Sequence, residues 1–242
     1  MDDKLKEVLH KVELLCEQNP EFALELKERL CVISKEVNSV DEGFASAMRL
    51  QHERCRKKAR YYYQEISDES LHKNLVNYYA NMLWYKSIFD VGQYFANVNY
   101  QVEDMLNHYL SKTDFHEKVA KSPTQYCSKI EINQNYTITI DAYTYAFDKS
   151  SGERIDPSRI NSLWVKLYYW AVDTGQVEIL EKYKIYLNAI VSVRNEVNHA
   201  NSASPKKSLK YWQEQEDSLQ FAFIEAVIKQ IRKSIVKLQQ TA

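Results

Sequence analysis

Apolar residues recur every three or four positions along most of this chain, and that spacing predicts amphipathic helices. The longest pattern predicts one helix from Ser67 to about Thr113, with a bend expected at Gly92. Three further helices are predicted: Ile160 to Val172, Val177 to about His199, and about Ser208 to Leu238. The chain is therefore expected to fold as a bundle of long helices.

The N-terminal part repeats the helical pattern over shorter stretches. Two helices are predicted there. The second is expected to begin at Asn19-Pro20, because Asn is a favoured N-cap and Pro is tolerated at the first helical position. A polar segment from Asn38 to Gly43 predicts a hinge. We expect residues 1–65 to form an N-terminal helical region and residues 66–242 to form the main helical domain.

Residues 128–141, with the sequence SKIEINQNYTITID, depart from the helical pattern. Apolar and polar residues alternate on both sides of Asn133-Gln134-Asn135, which predicts a β-hairpin. A two-stranded ribbon is only marginally stable alone, so we expect it to lean on the helices or to cover a site. The predicted fold class is mainly α, a bundle of long helices with one small inserted β-hairpin.

Composition supports this fold class and narrows the partners. The 242 residues include only four Gly and four Pro, whereas turn-rich and phosphate-loop folds use many of both. The formal net charge is −1, so an anionic partner would have to meet a local basic patch. The four cysteines lack paired spacing, and the sequence shows neither a signal-like stretch nor a membrane-length apolar run. We expect a cytoplasmic protein that needs no cofactor and has no membrane partner.

The basic segment, residues 48–64, concentrates positive charge directly before a run of tyrosines, MRLQHERCRKKARYYYQ. Its basic residues are Arg49, Arg54, Arg56, Lys57, Lys58 and Arg60, and they are followed by Tyr61, Tyr62 and Tyr63. Cations that meet phosphates, next to rings that stack on bases, suit single-stranded RNA. A solvated helix face followed by core tyrosines is the alternative interpretation, and both remain open.

The most distinctive motif is SVRNEVNHANS, residues 192–202, at the end of a predicted helix. It places Asn195 directly after Arg194 and His199 four residues beyond Asn195. In an all-helical chain, just before the final helix, this motif resembles that of the HEPN family, the higher eukaryotes and prokaryotes nucleotide-binding domains. Its ribonuclease members carry an arginine, four to six residues and a histidine, and a polar residue such as Asn commonly follows the arginine.

The resemblance implies a metal-independent endoribonuclease that leaves 2′,3′-cyclic phosphate and 5′-hydroxyl ends. His199 would transfer protons, Arg194 would hold the phosphate, and Asn195 would complete the catalytic set. Asn198 and the basic segment would bind the RNA. It also implies a homodimer with a composite site, a role in antiviral defence or as a toxin, and a possible antitoxin or nucleotidyltransferase-like partner.

Helix geometry constrains that interpretation. At about 100° per residue, Arg194 and His199 lie about 140° apart around a regular helix, whereas Asn195 and His199 share one side. An arginine that reaches round, a frayed helix end, or two copies meeting in a dimer would bring the groups together.

Two alternatives stay open. In the first, the motif is structural: Asn195, Asn198 and His199 satisfy helix-end carbonyls, and Arg194 bridges to a carboxylate in residues 67–113. In the second, the chain is a non-catalytic HEPN-like module that dimerises and binds a partner protein or a nucleotide.

Overall fold

The computed structural model describes residues 12, 19, 21–26, 41–88, 90–198, 207–213 and 218–241. Its helices, numbered in chain order, are α1 Asp41–Tyr63, α2 Glu69–Ser87, α3 Val91–Lys112, α4 Phe115–Lys121, α5 Ala142–Ala146, α6 Leu163–Asp173, α7 Val177–Asn198, α8 Lys207–Gln213 and α9 Ser218–Thr241. The strands are β1 Cys127–Asn133 and β2 Tyr136–Asp141, and short 3-10 turns span Pro123–Tyr126 and Pro157–Arg159. The predicted fold class is confirmed.

The single long helix predicted over residues 67–113 is wrong, because the structure places two packed helices there, α2 and α3. Helix α3 begins after Asp90, whose side chain accepts a hydrogen bond from the Gln93 backbone N–H at 2.9 Å. Aspartate is a strong N-cap, and this start competes with helix continuation. The apolar spacing runs through the break because both helices bury a face against each other. Gly92, where the bend was expected, is a buried residue in the first turn of α3.

Helix α3 is the centre of the bundle and packs against α2, α6, α7, α8 and α9. Large side chains from three of these elements meet in one hydrophobic cluster, including Phe95, Leu106, Trp170 and Ile190. Each of these four is at most 1% exposed, so the core is centred on this helix. Helix α7, which carries the motif, is fixed by the same cluster.

The predicted hairpin is confirmed, with β1 and β2 antiparallel and Ile130 paired with Ile138. The turn at Gln134 and Asn135 is supported by Asn133, whose side chain accepts from the Asn135 N–H at 2.9 Å. Strand β1 contacts α7 and β2 contacts α6, so the ribbon leans on the helices.

Helix α1 packs along α2 and buries Cys55 and Ala59 in a small cluster with Leu24. The predicted helix start near residue 19 is confirmed, because the Asn19 side chain accepts from the Glu21 N–H at 3.1 Å. The hinge predicted over residues 38–43 is wrong for its last three residues, which lie in α1. One glycine costs a helix only about 1 kcal/mol, so the helical pattern that follows carries through Gly43. Residues 38–40 lie outside the described part.

Near the C-terminus the sequence predicts one helix from about residue 208 to residue 238. The structure describes α8 and α9 within that span, and residues 214–217 between them lie outside the described part. Among the described helices, none is both long enough and apolar enough to cross a membrane.

Candidate functional site

Residues 192–198 of the motif lie in the last two turns of α7. This helix buries Leu180, Leu187, Ile190 and Val193 on its inner face, and Asn198 is its final residue. The predicted helix is confirmed from Val177 through Asn198. His199 and the side chain of Asn198 lie outside the described part, so the site is built here from Arg194, Asn195 and their neighbours.

Arg194 and Asn195 contact each other. The Arg194 Nη1 donates to the Asn195 Oδ1 at 3.2 Å, and the Asn195 side chain is exposed. Arg194 is half-buried, and its Nε is buried without a hydrogen-bond partner among the described residues. Within that part of the chain the guanidinium has no carboxylate partner, including none from α2 or α3. An unpaired buried donor is costly, so this group has binding capacity that the described contacts leave unused.

This hydrogen bond also bears on the angular separation predicted above. Asn195 lies about 100° from Arg194 around the helix, in the direction that leads toward the side of position 199. On a regular helix, position 199 follows one turn later on the same side as Asn195. The guanidinium therefore turns toward the side on which the sequence places His199.

Glu196 connects the motif to the next helix. Its carboxylate accepts hydrogen bonds from the backbone N–H groups of Ser208 at 3.0 Å and Leu209 at 2.8 Å. Charged acceptors at a helix N-terminus satisfy orphan donors and match the helix dipole. The contact ties the last turn of α7 to the first turn of α8. No local spacing rule links an acid to a helix start twelve residues later, so sequence reasoning missed Glu196.

A surface cavity of about 350 Å³ lies between α7, α8 and the hairpin, and Ser192, the first residue of the motif, lines it. Its lining includes Asn133, Ile185, Asn188, Ser192, Ser208 and Tyr211. Ser192 is three residues before Asn195, so the cavity and the motif share a run of α7. The volume lies in the range of small-ligand sites, and amides and hydroxyls are the polar groups that such sites use. The hairpin forms one wall of this cavity through Asn133.

The basic segment lies within α1. Arg54, Arg56, Lys57, Lys58 and Arg60 are all exposed. Among the described residues one weak ion pair involves them, between Arg56 and Glu53 at 3.7 Å. The exposed cations thus fit both predicted interpretations.

The three tyrosines that follow have different environments. Tyr63 is fully buried and donates to the Gln101 Oε1 at 2.8 Å. Tyr62 stacks on Tyr79 with ring centroids 4.4 Å apart. Tyr61 is 74% exposed. Core tyrosines therefore account for two of the three rings, and Tyr61 alone faces solvent.

The basic segment and Arg194 are carried by different helices. Helix α1 packs on α2, and α7 packs on α3. Thus the structure brings Arg194 together with Asn195, and it does not bring either into contact with the basic segment. An RNA chain would have to extend over the surface to meet both.

Several titratable groups elsewhere in the bundle have partners within the fold. Lys166 of α6 is fully buried with its Nζ 3.2 Å from the Glu103 Oε1, and burial lowers the pKa of this lysine. Asp173 receives hydrogen bonds from Tyr109 at 2.7 Å and Lys118 at 2.6 Å, and burial raises the pKa of Tyr109. Over the described ranges, no three His, Cys, Asp or Glu side chains are grouped so as to hold a metal ion.

No protein-family model, no curated protein and no solved structure matches this chain. The functional argument therefore depends on the residues of this chain. The described site has a guanidinium with spare hydrogen-bonding capacity, an exposed amide beside it and an adjacent cavity. Such a site is suited to a phosphate-containing ligand.

Proposed function

We propose that this protein is a metal-independent endoribonuclease of the HEPN type. The observation that carries the proposal is the state of Arg194. Its guanidinium is half-buried, turned toward Asn195 and without a carboxylate partner among the described residues. A planar guanidinium in that state favours a bound phosphate, because it makes charge-assisted, bidentate hydrogen bonds to two oxygens.

In the proposed reaction His199 accepts the proton of the ribose 2′-hydroxyl, and O2′ attacks the adjacent phosphorus. The bond from phosphorus to O5′ then breaks, and the leaving oxygen takes a proton from the protonated His199, which returns to its neutral form. The products are a 2′,3′-cyclic phosphate and a 5′-hydroxyl. Arg194 stabilises the negative charge that builds on the phosphoryl oxygens, and His199 suits proton transfer because its ordinary pKa is near neutrality. Asn195 orients Arg194 through their hydrogen bond.

The RNA chain is held by two surfaces in this proposal. Asn198, the last residue of α7, binds next to the cleaved phosphate. The exposed cations of α1, Arg54, Arg56, Lys57, Lys58 and Arg60, contact phosphates farther along the chain. Their attraction to RNA would be strongly dependent on salt, since it comes from displaced counterions.

A homodimer with a composite site belongs to the same proposal. Two copies that meet at the ends of α7 would place the arginine of one motif near the histidine of the other. That arrangement removes the angular constraint of a single regular helix. The proposed biology is antiviral defence or toxin activity, with an antitoxin or nucleotidyltransferase-like protein as its regulator.

A non-catalytic nucleotide-binding or partner-binding module is the second candidate function. The cavity of about 350 Å³ beside α7 favours it. The polar groups of its lining, from Asn133, Asn188 and Ser192, could bind a ligand without any catalytic residue. In that case Arg194 would bind a nucleotide phosphate and His199 would have no catalytic role.

The deciding experiment incubates the full-length protein with mixed RNA in EDTA and then identifies the new RNA ends. Wild type and Arg154→Ala are expected to produce cyclic-phosphate ends, whereas Arg194→Ala and His199→Ala are not. Arg154 is a matched control because its side chain is 62% exposed and pairs with Glu117, away from α7. Equal cleavage by all four proteins would assign the activity to a contaminant. No cleavage together with tight nucleotide binding would favour the second candidate.

A further inference from the structure

The exposed face of α1 combines an aromatic ring with cations. Tyr61 is 74% exposed, and Lys57 lies one turn before it on the same side of the helix. Arg54 is two turns before Tyr61, about 10 Å along the axis, and Lys58 flanks the same face. All three cations are exposed.

Tyr61 differs from its neighbours because, among the described residues, no ring contact involves it. Tyr62 stacks on Tyr79, lies under the Arg232 guanidinium at 4.5 Å and so has both faces covered. Tyr63 is buried against Tyr62 with a hydrogen bond to Gln101. Over the described ranges, Tyr61 makes no ring contact and no hydrogen bond. The exposed ring offers a face on which a base can stack, and the cations beside it can meet the flanking phosphates.

We propose that Tyr61 is a stacking platform for an unpaired base of single-stranded RNA, with Arg54, Lys57 and Lys58 on the flanking phosphates. The inference rests on the proposed RNA contact of α1 and specifies its substrate as single-stranded. Stacking on an aromatic side chain requires a base with an accessible face. Base pairs within a duplex are stacked on each other, and double-stranded RNA is recognised mainly by shape and backbone contacts.

The helix fits a nucleic acid better than a membrane surface. A membrane-bound amphipathic helix presents a continuous apolar face to the lipid. In α1 the apolar side, including Cys55 and Ala59, is packed on α2. Over residues 48–63, the outer side carries cations, and Leu50 and Tyr61 are its exposed large apolar residues. Such a surface can meet phosphates and a base but has little to insert into lipid.

The test measures binding by fluorescence anisotropy, using the full-length protein and labelled 2′-O-methyl RNA, which lacks the attacking 2′-hydroxyl and cannot be cleaved. The probes are a U-rich single-stranded 12-mer and the duplex that it forms with its complement. Tyr61→Ala should weaken binding of the single strand about 10-fold, since the stacking of one base is lost. Duplex binding should change less than about 2-fold, and Tyr61→Phe should restore single-strand binding.

Tyr136→Ala is the matched control, because Tyr136 of β2 is also exposed, at 50%, and lies on a different part of the surface. It should bind both probes as wild type does. The double variant Lys57→Ala/Lys58→Ala should weaken the binding of both probes and reduce the salt dependence of that binding. Together these results would support the stacking site and separate it from simple charge attraction.

Three outcomes would overturn the proposal, and they differ in meaning. Unchanged single-strand binding by Tyr61→Ala, with loss in the lysine variant, would leave only an electrostatic contact. No binding of either probe by wild type, alongside EDTA-resistant cleavage, would remove α1 from RNA recognition while the nuclease proposal stands. Binding of vesicles containing phosphatidylserine that depends on Tyr61, with no RNA binding, would make α1 a membrane surface.

Discussion

Two cationic side chains on neighbouring helices have opposite environments. Lys166 of α6 is fully buried, and its Nζ lies 3.2 Å from the Glu103 carboxylate. Arg194 of α7 is half-buried, yet among the described residues it has one neutral partner, the Asn195 amide, and an unpaired Nε. A third cation, Arg232, resembles Lys166 because it pairs with Glu65 at 3.3 Å and donates to the Tyr62 carbonyl, although its Nε, like that of Arg194, lacks a hydrogen-bond partner among the described residues.

The difference separates a structural cation from one that is open to a ligand. Taking a charge out of water costs several kcal/mol unless a partner offsets it. Lys166 and Arg232 have that partner within the fold, so their removal should damage the fold. The described contacts leave Arg194 without one, so its removal should damage ligand binding and leave the fold intact.

The largest expected effect is on cleavage. Arg194→Ala should lower the initial rate of RNA cleavage in EDTA by at least about 100-fold, as loss of a transition-state donor does. Arg194→Lys should recover only a small part of the rate, because lysine keeps the charge but loses the planar fork. Rates measured on a labelled single-stranded substrate give the ratio. Full activity in the lysine variant would mean that charge alone suffices.

The free energy of unfolding should depend on Lys166 more than on Arg194. Lys166→Ala should lower the free energy of unfolding by about 3 kcal/mol, since it leaves the Glu103 carboxylate, 29% exposed, without its partner. Arg194→Ala should change it by less than about 0.5 kcal/mol. Urea denaturation followed by circular dichroism measures both, with the exposed Lys57→Ala as a control.

The double variant Lys166→Met/Glu103→Gln should regain most of the lost stability, because an apolar replacement needs no ion partner. If Arg194→Ala lowered the free energy of unfolding more than Lys166→Ala does, the comparison would be reversed and the motif would have a structural role.

Glu196 should have an intermediate effect on both properties. Glu196→Ala removes the acceptor for the Ser208 and Leu209 N–H groups and should cost about 1 kcal/mol, a typical value for loss of a helix cap. The cleavage rate should fall by a larger factor than the loss of folding stability alone would produce, because α8 is no longer tied to the turn that carries Arg194. Glu181→Ala, on an exposed part of α7, is the matched control. An unchanged rate would show that the tie between α7 and α8 does not position the site.

The smallest effect concerns pH. Burial lowers the pKa of Lys166 in the folded state below its ordinary value of about 10.4. Between those two values the unfolded chain binds more protons, so the contribution of Lys166 to the free energy of unfolding rises with pH. The free energy of unfolding of wild type relative to Lys166→Met should therefore rise as the pH increases toward the ordinary lysine pKa of about 10.4. A flat difference would contradict the lowered pKa.

Periodicity predicted the helices and the hairpin, because burial of one face leaves a repeat that can be counted. It failed at residues 67–113, where the repeat passes through a break that the side chain of Asp90 produces. In the candidate site, local spacing predicted the helix that carries Arg194 and Asn195. The contact of Glu196 with α8 and the different environments of Tyr61 and Tyr63 depend on tertiary packing, which local spacing does not encode.

The most direct measurement follows the Arg194 Nε–H itself by NMR in protein labelled with ¹⁵N-arginine, with Arg194→Lys used to assign its signal. Uncleavable 2′-O-methyl RNA is then added. The signals of Arg194 should shift because the Nε–H gains a phosphate acceptor, and those of the ion-paired Arg154 should not. RNA binding that leaves the Arg194 signal unmoved would contradict the claim that this guanidinium is the phosphate clamp.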